Sequence, residues 1–434
     1  MPLSDEELML LEQLEYLNQD IEDAAMVEIG PKDRESVAGI VNCFTEEKLK
    51  NLESKTDGFP SGLEYAAIIR QIKQSPGLMS LTRQGRSDSV YATCYTDKDG
   101  KAYVSFQGTA NGNEWYDDAK GLLGTDTECQ KETLDYIESL PYENITVVGH
   151  SKGGNKAQYV TITSDKVTRC VSMDGQGFSP EFIEKYRAEI IANGERIKNY
   201  SLSTDYVHIL LYPVPGAKQI YCQGDESLAG VRNHSPAAYY QFYTDNEGNY
   251  RIVMNEEGQT ALVKVSENES MTYLHEFTCF ILSAMPDDKK EQTIEYVGII
   301  LALARTDDYR VDVNGVTYGH DDLIAYIFSN PNTAALAIAY FIKYVKTYNL
   351  SEDQINALIE AFGLQDMVKE IAKAIVGDPM LALKVTGGVT LFDVLMQEID
   401  GEPHEKWTAL YSLSDKCRIA GGQNSSKKRT EILL

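Results

Sequence analysis

Ser151 lies in Gly149-His150-Ser151-Lys152-Gly153, a G-x-S-x-G pattern in which a serine between two glycines can act as a nucleophile. A hydroxyl attacks poorly unless a base takes its proton and a third group orients that base. The chain holds 6 histidines, so the search for a base is short. His234, in Val231-Arg232-Asn233-His234-Ser235-Pro236, follows a strand pattern at 218–223, and loops at strand ends are where such sheets build their sites. It is the expected base, with His208 the alternative. His150 should point away from the hydroxyl and pack. His275 falls in a helical pattern, and His320 and His404 in turn-like stretches. Asp205, just after the strand pattern Ile197–Ser203, is the expected acid, because it keeps the chain order Ser, Asp, His. Asp174, ending the previous strand beside Gly175, is the rival, with a turn residue as its plainer reading.

Attack on a carbonyl also needs donors for the developing oxyanion, worth about 3–4 kcal/mol each. The backbone N–H of Lys152, at the start of a helix, is one expected donor. Thr109, in Phe106-Gln107-Gly108-Thr109, can supply the second through its N–H and hydroxyl. Together these residues predict a serine hydrolase that works through an acyl-enzyme and needs no metal or organic cofactor.

Such a constellation requires a scaffold. Ile145–Val148 reads as a short buried strand running through the glycine turn into a helix at about 153–164. Upstream, Val90, Ala92 and Cys94 alternate, Asp97–Gly100 signals a turn, and Ala102, Val104 and Phe106 alternate again, as in a β-hairpin. Downstream come strand Val167–Met173, helix Pro180–Ala192, and strands Ile197–Ser203 and Lys218–Gln223. Strands alternating with helices predict an α/β fold, a mostly parallel sheet wrapped on both faces. Ser4-Asp5-Glu6-Glu7 reads as a capping box opening an N-terminal helix with a stripe at Leu8, Leu11, Leu14 and Leu17. Beyond about residue 270 helical stripes dominate: Thr272–Ala284, Lys290–Arg305, Asp321–Ser329, Thr333–Tyr348 and Ser351–Phe362.

Val104-Ser105-Phe106-Gln107-Gly108-Thr109, followed by Glu114, Trp115 and Asp118, resembles the oxyanion and lid segment of class 3 (fungal-type) lipases. In that family the motif is usually Phe-Arg-Gly-Ser/Thr with a tryptophan a few residues on. With Gly149-His150-Ser151-Lys152-Gly153-Gly154-Asn155 and the later Asp and His, the resemblance spans about residues 85–240 and is similar to a bacterial lipase-like group. It implies an α/β-hydrolase fold, Ser151, Asp205 and His234 as the triad, and Thr109 and Lys152 at the oxyanion hole. It also implies a lid at Asn111–Gly124 presenting Trp115 and Tyr116, where the plain reading is a surface loop. Two residues depart from the pattern. Gln107 replaces the usual arginine, and Lys152 puts a cation where an apolar residue is common.

The implied organisation is an N-terminal helical segment (1–84), a hydrolase core (85–269), a helical domain or cap (270–420) and a polar tail (421–434). A net charge of −26 argues against nucleic acid and against anionic membrane surfaces as partners. The 7 cysteines form no C-x-x-C pair, so no zinc or redox site follows. The acidic start lacks a signal-peptide layout and no apolar run spans a bilayer, which predicts a cytoplasmic protein, or one secreted without a cleaved signal. A small-molecule or lipid ester is the expected substrate. The other readings are an inert hydrolase-fold binding module, and a secreted lipase whose C-terminal helices hold a protein partner.

Overall fold

Alternating apolar residues in the middle of the chain produce one large sheet, and the amphipathic helices before and between its strands bury their stripes on it. The structure, a computed structural model, describes residues 2–55, 60–109, 126–224, 234–256 and 258–284, with 310–313, 316–319 and single positions between 344 and 354. Helix α1 (Asp5–Glu12) starts at Ser4, whose hydroxyl accepts the Glu7 N–H at 3.1 Å while the Glu7 carboxylate accepts the Ser4 N–H at 2.9 Å. This is the capping box expected from the sequence. A 3-10 turn, Gln13–Tyr16, follows directly. Five further helices complete the N-terminal segment: α2 (Gln19–Ala25), α3 (Val37–Asn42), α4 (Glu46–Leu52), α5 (Gly62–Gln74) and α6 (Pro76–Met79).

The sheet opens with β1 (Thr82–Ser87), β2 (Ala92–Thr96) and β3 (Ala102–Phe106), paired antiparallel. Helix α7 (Glu128–Ser139) leads to β4 (Ile145–His150), and α8 (Lys152–Thr163) to β5 (Val167–Met173). Helices α9 (Pro180–Lys185) and α10 (Arg187–Asn193) precede β6 (Ile197–Leu202) and β7 (Lys218–Cys222). Strands β3 to β7 are parallel. A small antiparallel pair, β8 (Phe242–Thr244) with β9 (Tyr250–Ile252), stands apart, and β10 (Lys264–Val265) closes the large sheet against β7. The spatial order of the eight strands is their order in the chain.

That order decides how the sheet is covered. Sequential parallel strands joined by crossovers of one hand place every crossover helix on the same face. Ile137, Ala157, Val160 and Phe182 from those helices accordingly share one core with Val104, Val147 and Cys170. The opposite face, with Val148, Val171, Tyr200 and Leu202, packs against Leu8, Leu11, Ile68 and Ile69 of the N-terminal helices. Both faces are covered, as the alternating pattern predicts, but the crossovers cover only one and the N-terminal segment supplies the other.

Two expectations change in detail. The helix expected over Pro180–Ala192 is broken at Tyr186 into α9 and α10, and the Tyr186 hydroxyl hydrogen-bonds Asp126 at 2.7 Å. Strand β1 was not anticipated, because Thr82-Arg83-Gln84-Gly85-Arg86-Ser87 is polar and lies mostly exposed at the sheet edge. Helix α11 (Glu269–Ala284) forms where Thr272–Ala284 was expected. A hairpin, β11 (Arg310–Val313) and β12 (Val316–Gly319), falls between two expected helices. The remaining C-terminal helices and the 421–434 tail lie almost wholly outside the described residues. Among the described residues no helix is long and apolar enough to cross a membrane.

Glu12 is fully buried in α1. Burial, and then the charge of nearby Glu15, push its carboxyl well above the usual range, and neither carboxylate oxygen has a hydrogen-bond partner among the described residues. A carboxyl raised in the folded state contributes stability that is full below the ordinary carboxylate range and is lost as pH rises toward its folded value. Glu12→Gln, which mimics the neutral acid, is therefore expected to melt above the wild type at pH 8 by ~3 °C or more, and by less at pH 5. Thermal melts of both proteins at the two pH values check this.

Candidate active site

The register of the parallel strands brings their carboxyl ends level. Phe106 pairs with Gly149, His150 with Met173, Met173 with Tyr200, and Leu202 with Cys222. The residues that follow these ends therefore emerge along one edge: Thr109 after β3, Ser151 after β4, Asp174 after β5, and Asp205 after β6.

Ser151 sits between β4 and α8 with φ 58° and ψ −123°, a backbone conformation rare for any residue with a side chain. Its N–H donates to the Met173 carbonyl at 2.8 Å, which holds the turn against β5. The flanking glycines are a steric requirement. A Cβ on Gly149 would lie 2.2 Å from the Gly153 carbonyl oxygen, and one on Gly153 would lie 2.1 Å from the Phe106 carbonyl oxygen. The second contact also presses the start of α8 against the end of β3, so Lys152 and the Gln107–Thr109 stretch border the same turn.

The structure brings three of the expected residues into one hydrogen-bonded line. His234 Nε2 lies 2.8 Å from Ser151 Oγ, and His234 Nδ1 lies 2.5 Å from Asp205 Oδ2. All three are buried. The other Asp205 oxygen accepts the backbone N–H groups of Val207 at 2.7 Å and His208 at 3.0 Å. Burial acts to raise the Asp205 carboxyl, but the charge of His234 and hydrogen bonds from His208 and His234 outweigh it and hold the group well below its usual range. An ionised Asp205 fixes the ring with Nδ1–H toward the carboxylate, leaving Nε2 to accept the serine proton.

The rivals fall elsewhere. His208 is 3.5 Å from Asp205 Oδ1, on the oxygen His234 does not use. Asp174 has φ 46° and is fully buried, and its Oδ1 accepts the Leu202 N–H at 2.8 Å. Burial and the neighbouring Asp205 charge push its carboxyl well above the ordinary range, the opposite direction from Asp205. His275, in α11, bonds the Ile209 carbonyl through Nδ1 at 2.8 Å, a structural contact.

His150 was expected only to pack. Its ring centroid lies 4.7 Å from that of His234, and its Nδ1 is 2.7 Å from the Tyr16 hydroxyl. Thr109 and the Lys152 side chain are both buried at the site. Trp115 and Tyr116 of the expected lid lie outside the described residues, as do His320 and His404.

Two overlapping groups have ligand atoms close enough for a metal, His150 with Asp174 and His234, and Asp174 with Asp205 and His208. The hydrogen bonds already made at both His234 nitrogens and at both Asp205 oxygens compete with such use. The geometry fits proton transfer at Ser151 better than ion binding.

A comparison with curated proteins gives no match. Residues 80–241, a stretch that contains Ser151, Asp205 and His234, match the model of the Mbeg1-like family, a lipase-like family.

Proposed function

We propose that this chain is a serine hydrolase of the α/β-hydrolase fold that cleaves carboxylic esters, with lipid or other apolar acyl esters as the substrate class. The observation that carries the reading is the hydrogen-bonded line from Ser151 Oγ through His234 to Asp205, starting at a serine held at φ 58°. In this reading Ser151 attacks the acyl carbon while His234 takes its proton. The N–H of Lys152 and the N–H or hydroxyl of Thr109 receive the oxyanion. His234 then returns the proton to the departing alcohol, and water, deprotonated by the same ring, releases the acid from the acyl-enzyme. The match to a lipase-like family supports the reaction class. In this reading the core of the enzyme is the 85–269 region, with the 1–84 segment packed on it.

The test is labelling with a fluorophosphonate. The wild-type protein should take one label, and Ser151→Ala should take none. A p-nitrophenyl ester series of increasing acyl length should then show turnover rising with chain length if the site is built for apolar acyl groups. A folded protein that does not label, with mild detergent present to open any lid, would favour a binding module on a hydrolase fold.

A further inference from the structure

The 3-10 turn Gln13–Tyr16 lies more than a hundred residues from the nucleophile in sequence, yet it touches the candidate site on three sides. The Gln13 amide donates to the Pro236 carbonyl at 3.0 Å, two residues beyond His234. Glu15 is buried and pairs with Arg86 at 2.7 Å, and Arg86 in turn donates to the Gln107 side chain at 3.0 Å. Thr93 donates to the same Glu15 oxygen at 3.1 Å. The Tyr16 hydroxyl accepts the Gly108 N–H at 3.3 Å and lies 2.7 Å from His150 Nδ1. A Cβ on Gly108 would meet the Tyr16 oxygen at 2.7 Å and, less closely, the His150 carbonyl oxygen at 3.1 Å and its Nδ1 at 3.3 Å, so the glycine is fitted to both residues.

These contacts converge on Gln107-Gly108-Thr109, the stretch that runs off the end of β3. The β3–β4 pairing ends at Phe106 and Gly149, and on the other side the last backbone bond is the Gln107 N–H to the Tyr91 carbonyl at 2.9 Å, so Gly108 lies just past the sheet's own ties. The turn supplies the missing ties. Tyr16 holds the Gly108 amide, and the Glu15–Arg86 pair holds the Gln107 side chain, the position where the lipases it resembles carry arginine.

Resting on the hydrolase reading, we propose that Tyr16 is a positioning residue that sets the backbone of Gly108 and Thr109 for oxyanion binding, so that the N-terminal segment completes the active site. The physical case is one of tolerance. Donors that stabilise an oxyanion must be preorganised, and a misplacement of about 1 Å can cost on the order of 100-fold in rate. Deleting one hydroxyl releases the Gly108 amide without removing a donor to the substrate, so the loss should be smaller than that of an oxyanion donor itself.

The experiment compares wild type with Tyr16→Phe, which keeps the ring and removes only the hydroxyl. Gly108→Ala serves as a second variant that displaces the same contact from the other side. Three quantities are read: the rate of fluorophosphonate labelling at Ser151, kcat and KM on a p-nitrophenyl ester, and amide hydrogen exchange over residues 107–109. The proposal expects labelling and kcat to fall by about 10-fold in each variant, with KM within a factor of about two. It also expects faster exchange at 107–109 with β4 unchanged, and a melting temperature close to wild type. A purely structural Tyr16 would lower the melting point while leaving kcat and the exchange at 107–109 as they were, and that result would overturn the proposal. Equal labelling of a labelling-competent wild type and Tyr16→Phe would do the same while leaving the hydrolase reading standing. No labelling of wild type at all would overturn that reading and the role of Tyr16 with it.

Discussion

Replacing His234 with alanine is expected to lower kcat for ester hydrolysis by about 10⁵–10⁶-fold with KM changed only a few-fold. In the proposed reaction the serine hydroxyl is nucleophilic only while its proton has somewhere to go, and His234 Nε2, at 2.8 Å, is the place proposed for it. Among the described residues no neighbouring ring is placed to take over. His150 faces His234 with its Nδ1 held by Tyr16, and His208 approaches only the far oxygen of Asp205. Substrate binding does not depend on the missing proton transfer, so the loss should fall on kcat. Residues that act as one unit are also grossly non-additive. Ser151→Ala with His234→Ala should therefore be about as slow as either alone, the residual rate coming from the oxyanion donors and binding. Steady-state kinetics of the three proteins on one p-nitrophenyl ester check the pattern. Independent, multiplying losses would show that the two residues do not work together.

The elbow was legible in the sequence because its residues sit within one five-residue pattern between a strand and a helix. Gly149 is required by the Gly153 carbonyl within that pattern, whereas the contact that requires Gly153, with the Phe106 carbonyl of β3, is long-range and shows only in the structure. Asp205 and His234 were legible for a different reason: parallel strands deliver successive loops to one edge, so chain order alone narrows the choice. The contacts that tie the site together were not legible. Tyr16 meets Gly108 and His150 across 92 and 134 residues. Within its own stretch it reads only as one more large residue after the stripe of α1. The same limit applies to β1, whose polar residues carry no alternation, and to the covering of the sheet. A helical stripe announces that it will be buried without saying on which face. Only the strand order 1 to 7, with its one-sided crossovers, leaves the second face to the N-terminal helices.

Asp205→Asn is expected to cost about 10⁴-fold in kcat, whereas Asp174→Asn should cost less than about 10-fold. Both carboxyls are buried at the carboxyl edge of the sheet, and their environments separate them. Asp205 is held ionised by His234 and by hydrogen bonds from His208 and His234, and it accepts the Nδ1–H that fixes the tautomer of the base. An asparagine there presents an amide that can donate to Nδ1, which favours the tautomer with its proton on Nε2, unable to take one from serine. Burial and the Asp205 charge push the Asp174 carboxyl well above the ordinary range, which favours its neutral form. Asparagine reproduces that neutral shape and keeps an oxygen for the Leu202 N–H at 2.8 Å. Parallel kcat measurements on the two single variants decide the matter. A large loss for Asp174→Asn with a mild one for Asp205→Asn would transfer the acid's role to the end of β5. A ratio of about 10³ or more in the expected direction would mean that a charge held beside the histidine, and not mere proximity of a carboxyl, supports the base.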